Sequence, residues 1–260
     1  MTPATRPSKW SGTLALGSGL VAYHGPGSSA ARHRHDAIQI VWGLESPVVL
    51  RLGDEELEAR AAIVPARSDH TLEAGPGDLV VLLAEPSGAI GAALGALADD
   101  EAGSDLSGRL RSVLAPPQGP ADPLLAWARA MLDTLLGDDY DVHDGRLVRP
   151  EVAEAVRYVD DASEGVPRLT EAAAHVALSP RQLSRSVTHD IGMPFRRYVL
   201  WSRLRRVVVA VRGGDDLTTA ALSAGFADSA HLSRVFKSTF GLSPSEVLPL
   251  VEVAEVVPWR

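Results

Sequence analysis

Cysteine is missing from the 260 residues altogether, and lysine occurs only as Lys9 and Lys237. The first absence excludes disulfides, thiolate metal sites, iron–sulfur clusters and cysteine nucleophiles. The second makes the positive charge almost wholly guanidinium, a group suited to bidentate phosphate and guanine contacts, although genomic base composition alone can produce the same bias. Long apolar runs are also lacking. Stretches such as Leu79 to Ala84 and Val207 to Val211 fall far short of the ~20 residues that cross a bilayer, which excludes an integral membrane protein. The N-terminus has no basic, apolar, small-residue order of signal-peptide type, so a cytoplasmic protein is expected.

What is present is the composition of a globular chain, 45% hydrophobic and 22% charged, with a mean hydropathy of +0.04. Its length suits one large domain or two ordinary ones. The net charge of −8 argues against a nucleic-acid partner only until its distribution is examined. Residues 1–148 hold 11 Lys and Arg against 20 Asp and Glu, whereas residues 168–248 hold 11 against 6. An acidic front precedes a basic back.

The first ninety residues show short strand patterns at Thr13 to Tyr23, Ile38 to Leu44, Val48 to Leu52, Ala61 to Val64 and Leu79 to Glu85, divided by Gly, Pro and Asp clusters. Such spacing predicts a small barrel or sandwich. Helix-permissive residues follow from Ser87 to Asp100, then a proline-containing connector from Ala115 to Asp122, then a helical apolar stripe from Pro123 to Leu136. A polar run after Gly137 marks the domain boundary. The predicted division is residues 1–100 as a strand-rich barrel unit, 101–148 as a helical linker that could meet a second copy, 149–248 as an all-helical domain, and 249–260 as a tail. The fold class is α+β with two domains.

The helical part repeats itself. Leu183-Ser184-Arg185 recurs as Leu232-Ser233-Arg234 and Gly192 as Gly241, both at an offset of 49. In the first copy Thr170 can cap a helix through Val176, and Ser179-Pro180 opens a second helix. Leu183 and Val187 then point to a core and leave Arg181, Ser184, Arg185 and Thr188 outside. The second copy runs from Thr218-Thr219, turns at Ala224-Gly225-Phe226, caps at Asp228 and buries Leu232, Val235 and Phe236. His231 reads as a structural hydrogen-bonding residue of that unit. Phe195 to Arg212 joins the copies as an 18-residue helix of ~27 Å. Recognition helices so separated could enter successive major-groove segments ~34 Å apart. Arg196, Arg197, Arg203, Arg205 and Arg206 on this strut could meet phosphates.

These residues resemble the AraC/XylS transcription regulators over about residues 150–248. The resemblance rests on Ala-x-x-x-Ala-Leu-Ser-Pro-Arg-Gln-Leu-Ser-Arg from Ala173, Gly-Met-Pro-Phe-Arg-Arg-Tyr from Gly192, Ala-Gly-Phe-Ala-Asp-Ser-Ala-His-Leu-Ser-Arg-Val-Phe-Lys from Ala224, and Phe-Gly-Leu-Ser-Pro-Ser-Glu from Phe240. It implies two helix-turn-helix units on a bridging helix that bind double-stranded promoter DNA. Arg181, Ser184 and Arg185 of the first unit, and Ser229, Ala230, Ser233, Arg234 and Lys237 of the second, would face the DNA. Ala177 departs from the family's turn glycine, at ~1 kcal/mol if a left-handed angle is needed there.

Gly27, His33-Arg34-His35, Pro65 and His70 resemble the two motifs of the cupin barrel. That resemblance implies a small barrel whose histidines converge. Gln39 stands where the carboxylate ligand belongs and Arg67 where a glycine does, so the expected site is a metal-free effector pocket of His33, His35, Gln39, Trp42 and His70. No cofactor is required. A divalent metal on His33, His35 and His70 is the alternative, and with it a metal-dependent cupin enzyme carrying a helical dimerisation appendage. The expected function is a non-enzymatic regulator whose front half senses an unknown small molecule and whose back half reads DNA. RNA polymerase and a second copy stand as further partners.

Overall fold

The computed structural model describes residues 10–17, 19–27, 29–87, 89–117, 123–137, 148–162, 165–248 and 252–256. Among the described residues nine strands precede the first helix. They are β1 Thr13–Leu16, β2 Leu20–Pro26, β3 Ala30–His33, β4 Ile38–Gly43, β5 Val48–Leu52, β6 Glu55–Ala59, β7 Ala61–Val64, β8 His70–Glu73 and β9 Asp78–Ala84. The single strand expected from Thr13 to Tyr23 is instead a hairpin. Gly17 N–H donates to the Leu20 carbonyl at 2.8 Å and Gly19 takes a φ of +79°, a turn that a side-chain-bearing residue adopts only at a cost.

The strands form a six-stranded sheet in the order β10-β1-β2-β9-β4-β7, where β10 is Glu252–Val256, and a four-stranded sheet in the order β3-β8-β5-β6. All neighbours are antiparallel except β1 and β10. The stretch expected as a tail thus supplies an edge strand to the N-terminal sheet.

Alternation along the six-stranded sheet divides the interior. Leu14, Leu16, Val21, Tyr23, Val41, Val81 and Leu83 face one core, while Ala15, Leu20, Ala22, Ile38, Ile40, Val80 and Leu82 face the other. The second face is covered by α1 Ala89–Glu101 and α2 Leu124–Leu136 through Leu94, Ala98, Leu125, Ala128 and Leu132. The first core continues into the helical half through Val152, Leu183, Trp201 and Phe236, so sheets and helices share one apolar interior.

The remaining helices are α3 Pro150–Asp160, α4 Leu169–His175, α5 Pro180–Ile191, α6 Phe195–Arg212, α7 Leu217–Ser223, α8 Ser229–Phe240 and α9 Pro244–Val247. Pro150 and Pro180 each sit in a first turn, where the missing N–H costs nothing. Thr170 lies inside α4 rather than capping it; the carboxylate of Glu171 accepts from Arg168 N–H at 3.1 Å. Ser179 and Gln182 cap α5 reciprocally, and Asp228 caps α8 by accepting from His231 N–H at 2.5 Å.

Ion pairs and hydrogen-bonded carboxylates tie these helices. Arg149 is bidentate on Asp190 at 2.9 and 2.7 Å, and the guanidinium holds that carboxyl well below the usual carboxylate range. Asp160 accepts from Tyr198 Oη and Arg205 Nη2, both at 2.6 Å. The polar linker expected after Gly137, residues 138–147, lies outside the described residues, as do residues 118–122 of the connector. Among the described residues no helix is long and apolar enough to cross a membrane.

Candidate nucleic-acid interface

The two copies present comparable outer faces. On α5, Leu183 and Val187 are buried, Arg181 and Arg185 are exposed and Ser184 is half-buried. On α8, Leu232 and Phe236 are buried, Ala230, Arg234 and Lys237 are exposed, and Ser229 and Ser233 are half-buried. Among the described residues Arg181, Arg185 and Arg234 have no carboxylate partner. Three long cations therefore stand in water on two helices, available to an anionic or hydrogen-bonding surface. Ser233 is less free, since its hydroxyl donates to the Ser229 carbonyl at 2.8 Å. His231 is structural: its Nδ1 accepts from Ala227 N–H at 3.3 Å, and its ring packs on Phe226 at 5.4 Å.

The phosphate candidates on the strut fare differently. Arg196 is exposed. Arg197 donates to the buried carboxylate of Glu85 through Nε at 2.8 Å and again through Nη2. Arg203 donates to the carbonyls of Ala224 and Gly225 at 3.1 and 2.7 Å and lies over the Phe226 ring at 3.9 Å. Arg205 pairs with Asp160, and Arg206 donates to the Ala162 carbonyl at 2.5 Å. The expectation of phosphate contacts from Arg197, Arg203, Arg205 and Arg206 is therefore corrected. The guanidiniums of α6 instead satisfy carbonyl ends and carboxylates packed against the helix.

Turn geometry explains how the two units are built. Leu178 N–H donates to the Ala173 carbonyl and Phe226 N–H to the Ala221 carbonyl, each at 2.9 Å, so Ala177 and Gly225 occupy equivalent places. Their φ angles are +54° and +79°. Counted from these first helices the offset is 48, not 49, and Ala227 is the extra residue of the second turn.

At the other end of the molecule His33, His35 and His70 converge, with ring centroids 4.2 to 5.5 Å apart. β3 ends at His33, which pairs across the sheet with His70, and His35 reaches the same point from the loop beyond. Each imidazole gives its Nδ1 hydrogen to a carbonyl: Ala31 at 2.7 Å, Ala37 at 2.9 Å and Ser68 at 2.9 Å. His35 Nε2 also lies 3.0 Å from the Gln39 amide, while His70 Nε2 is buried without a partner. Burial lowers the pKa of His35, and lowers that of His70 to about 4, so both rings are neutral at pH 7.

Trp42 does not join them. It lies on the opposite face of β4 and stacks on Trp127 of α2, with centroids 6.3 Å apart. Strand alternation requires this, because Gln39 and Trp42 are an odd number of residues apart. In its place the structure brings residues with no local sequence signal. A narrow apolar cavity of about 80 Å³ runs from Gln39 and His33 past Leu16, Tyr23, Leu72 and Leu83 to Val208 of α6, Phe236 and Phe240 of α8, and Val247 of α9. Beside it Glu85, 3% exposed, accepts from Arg197, from Ser87 and from Trp201 Nε1 at 3.0 Å. Burial pushes the Glu85 carboxyl up, but these donors outweigh it and leave the group below its ordinary value.

Residues 172–249 match the family model described as a helix-turn-helix domain. The chain is 42% identical over 72 residues to the HTH-type transcriptional activator RhaS of Escherichia fergusonii, covering 27% of this chain and 26% of that one. It is 26% identical over 102 residues to the transcriptional activator RhrA of Rhizobium meliloti, covering 38% and 32%. The matches thus span about a quarter to a third of these curated relatives' length. Among solved structures, ToxT of Vibrio cholerae aligns over 92% of this chain and 100% of that chain, at 13% identity and a TM-score of 0.45.

Proposed function

We propose that the chain is a transcription regulator of the AraC/XylS type that binds double-stranded promoter DNA through α5 and α8, within the helix-turn-helix match of residues 172–249, and senses a small molecule in its N-terminal sheets. The observation that carries this reading is the pair of exposed faces, Arg181 with Arg185 and Arg234 with Lys237, each backed by a buried Leu and a deep apolar core. Arginines held in water rather than in internal ion pairs can make bidentate contacts to guanine edges, with Ser184, Ser229 and Ser233 beside them as short hydroxyl partners. Arg196 supplies a phosphate contact.

The strut α6 sets the spacing. At 18 residues it is ~27 Å long, which suits two readers on one face of a duplex. The sheet unit acts as a cupin-like sensor. Its cavity is walled by Phe236 and Phe240 of α8, so a molecule that fills it touches the second reader directly. Such a molecule shifts operator affinity only by as much as its own affinity differs between the two arrangements. The curated relatives named above are regulators, which sets aside the enzymatic alternative. A second copy meeting residues 101–148, and RNA polymerase, belong to the same reading, as does a cytoplasmic setting.

The test is a mobility shift of the full chain on a duplex selected from a random pool, at two salt concentrations. Binding should fall steeply as salt rises, and the selected sequence should outcompete random DNA. Equal competition by random DNA would sink the reading.

A further inference from the structure

Residues 166–169 and 194–203 line a groove of about 820 Å³ between the start of α4 and the first half of α6. That volume falls within the ~300–1,000 Å³ typical of ligand clefts. Leu169 and Leu200, both half-buried, contribute to an apolar lining, and Val166 adds a side chain that is 44% exposed. An aliphatic surface is thus left in water where the two helix-turn-helix units meet, since a Cβ placed on Gly225 would lie 3.3 Å from Val166 Cγ2.

The charge along this groove is of one sign. Arg168, Arg196, Arg197 and Arg203 line it, and among the described residues no carboxylate does. Arg197 is neutralised by Glu85. Arg203 spends its donors on the carbonyls of Ala224 and Gly225 and lies over the Phe226 ring, which fixes its position but leaves its charge uncompensated. Arg168 and Arg196 are exposed and have no ion pair among the described residues. Glu171, the acid that follows in α4, is occupied in accepting from the Arg168 backbone N–H at 3.1 Å. Walls held in this way are formed before anything binds, which lowers the ordering cost of association.

We infer that the groove is a docking site for an acidic peptide segment of a partner protein. Such a segment places a carboxylate on Arg168 and Arg196 and an aliphatic or aromatic side chain on Val166, Leu169 and Leu200. The unpaired guanidiniums set the sign of the partner, and the apolar lining sets its class. A nucleic-acid backbone would use the cations and bury no hydrocarbon, whereas a polypeptide uses both. No residue of α5 or α8 lines the groove, so the site stands whether or not those helices read DNA. Arg196 can serve a phosphate or the peptide, which makes Arg168 the side chain that separates the two.

The probe is a random library of short phage-displayed peptides, panned on the full chain. Enriched peptides should combine Asp or Glu with Leu, Ile or Phe, and a fluorescent synthetic copy of the commonest should bind one site per chain. Arg168→Gln should weaken that peptide about fivefold or more, and Val166→Ser, at an exposed position, about threefold. Rising salt should weaken binding to the wild type more than to Arg168→Gln. Enrichment without acidic residues, or undiminished affinity in both variants, overturns the site. So does a dimer of the wild type in sedimentation that Arg168→Gln abolishes, because a second copy would then fill the groove. On duplex DNA Arg168→Gln should leave affinity within about twofold, and a larger, uniform loss on every sequence would make Arg168 a phosphate contact and overturn the peptide assignment. The peptide readouts need no DNA, so failure of the regulator reading is seen separately, in the mobility shift.

Discussion

The two helix-turn-helix units share a sequence pattern and differ in their neighbours. The first, α4 with α5, turns at Ala177 with a φ of +54° and is closed onto α3 by the Arg149–Asp190 pair. The second, α7 with α8, turns at Gly225 with a φ of +79° and is docked on the N-terminal sheets through Phe236, Phe240, Ser238 and Gly241. One copy is thus held by its own domain, whereas the other also rests on the N-terminal sheets. The duplicated motif is local, but the partner of a helix is whatever the rest of the chain places against it.

The largest way to break this division is Glu85→Ala. It leaves Trp201 Nε1 and the Arg197 guanidinium without their acceptor at the seam between sheets and strut, and should cost about 3 kcal/mol in a thermal or denaturant melt. A loss under about 0.5 kcal/mol would show that the seam is held by apolar contact alone.

Gly225→Ala should cost about 2 kcal/mol, because a Cβ there meets the Gly165 carbonyl at 2.6 Å in addition to the left-handed strain. Arg185→Ala and Arg234→Ala should each relax preference at their own base positions by about 1 to 3 kcal/mol, read from competition with single-position operator variants. Equal loss on every sequence would demote both to phosphate contacts.

The first unit should respond to acid through Asp190. Asp190 carries a folded-state pKa depressed below its ordinary value of about 3.9, so its contribution is present above that value and is lost as pH falls towards the folded one. The stability gap between wild type and Asp190→Asn should be flat from pH 5 to 7 and shrink below about pH 4. The smallest effect expected is a gain. Ala177→Gly should stabilise the first unit by about 1 kcal/mol by relieving its φ of +54°, bringing its turn level with that of the second.

Legibility followed the range of the interaction. The caps Ser179 and Asp228, the prolines opening α3 and α5 and the 18-residue strut were all visible, since each is settled within a few residues. So was the positive φ of Ala177, once its place in the motif was seen. The face of Trp42 was legible too: alternation from Gln39 excludes it from the pocket, and grouping it with the histidines ignored that parity. The strut arginines misled because a guanidinium looks the same in sequence whether it awaits a phosphate or already holds Glu85, Asp160 or a backbone carbonyl. β10 had no signal beyond a short run of valines, because an edge strand is defined by the neighbour it pairs with.

The chain by itself determined which segments become helices and strands, where the turns need a left-handed residue, and which arginines lie on the faces opposite Leu183 and Leu232. Those properties depend on side-chain periodicity and capping, which act over one or two turns. Tertiary structure alone decided that three histidines meet under the last turn of α8, that Glu85 claims Arg197, and that an apolar cavity opens onto Phe236 and Phe240. Those contacts join residues more than one hundred positions apart, and no local pattern encodes which distant surface will be there when the core closes.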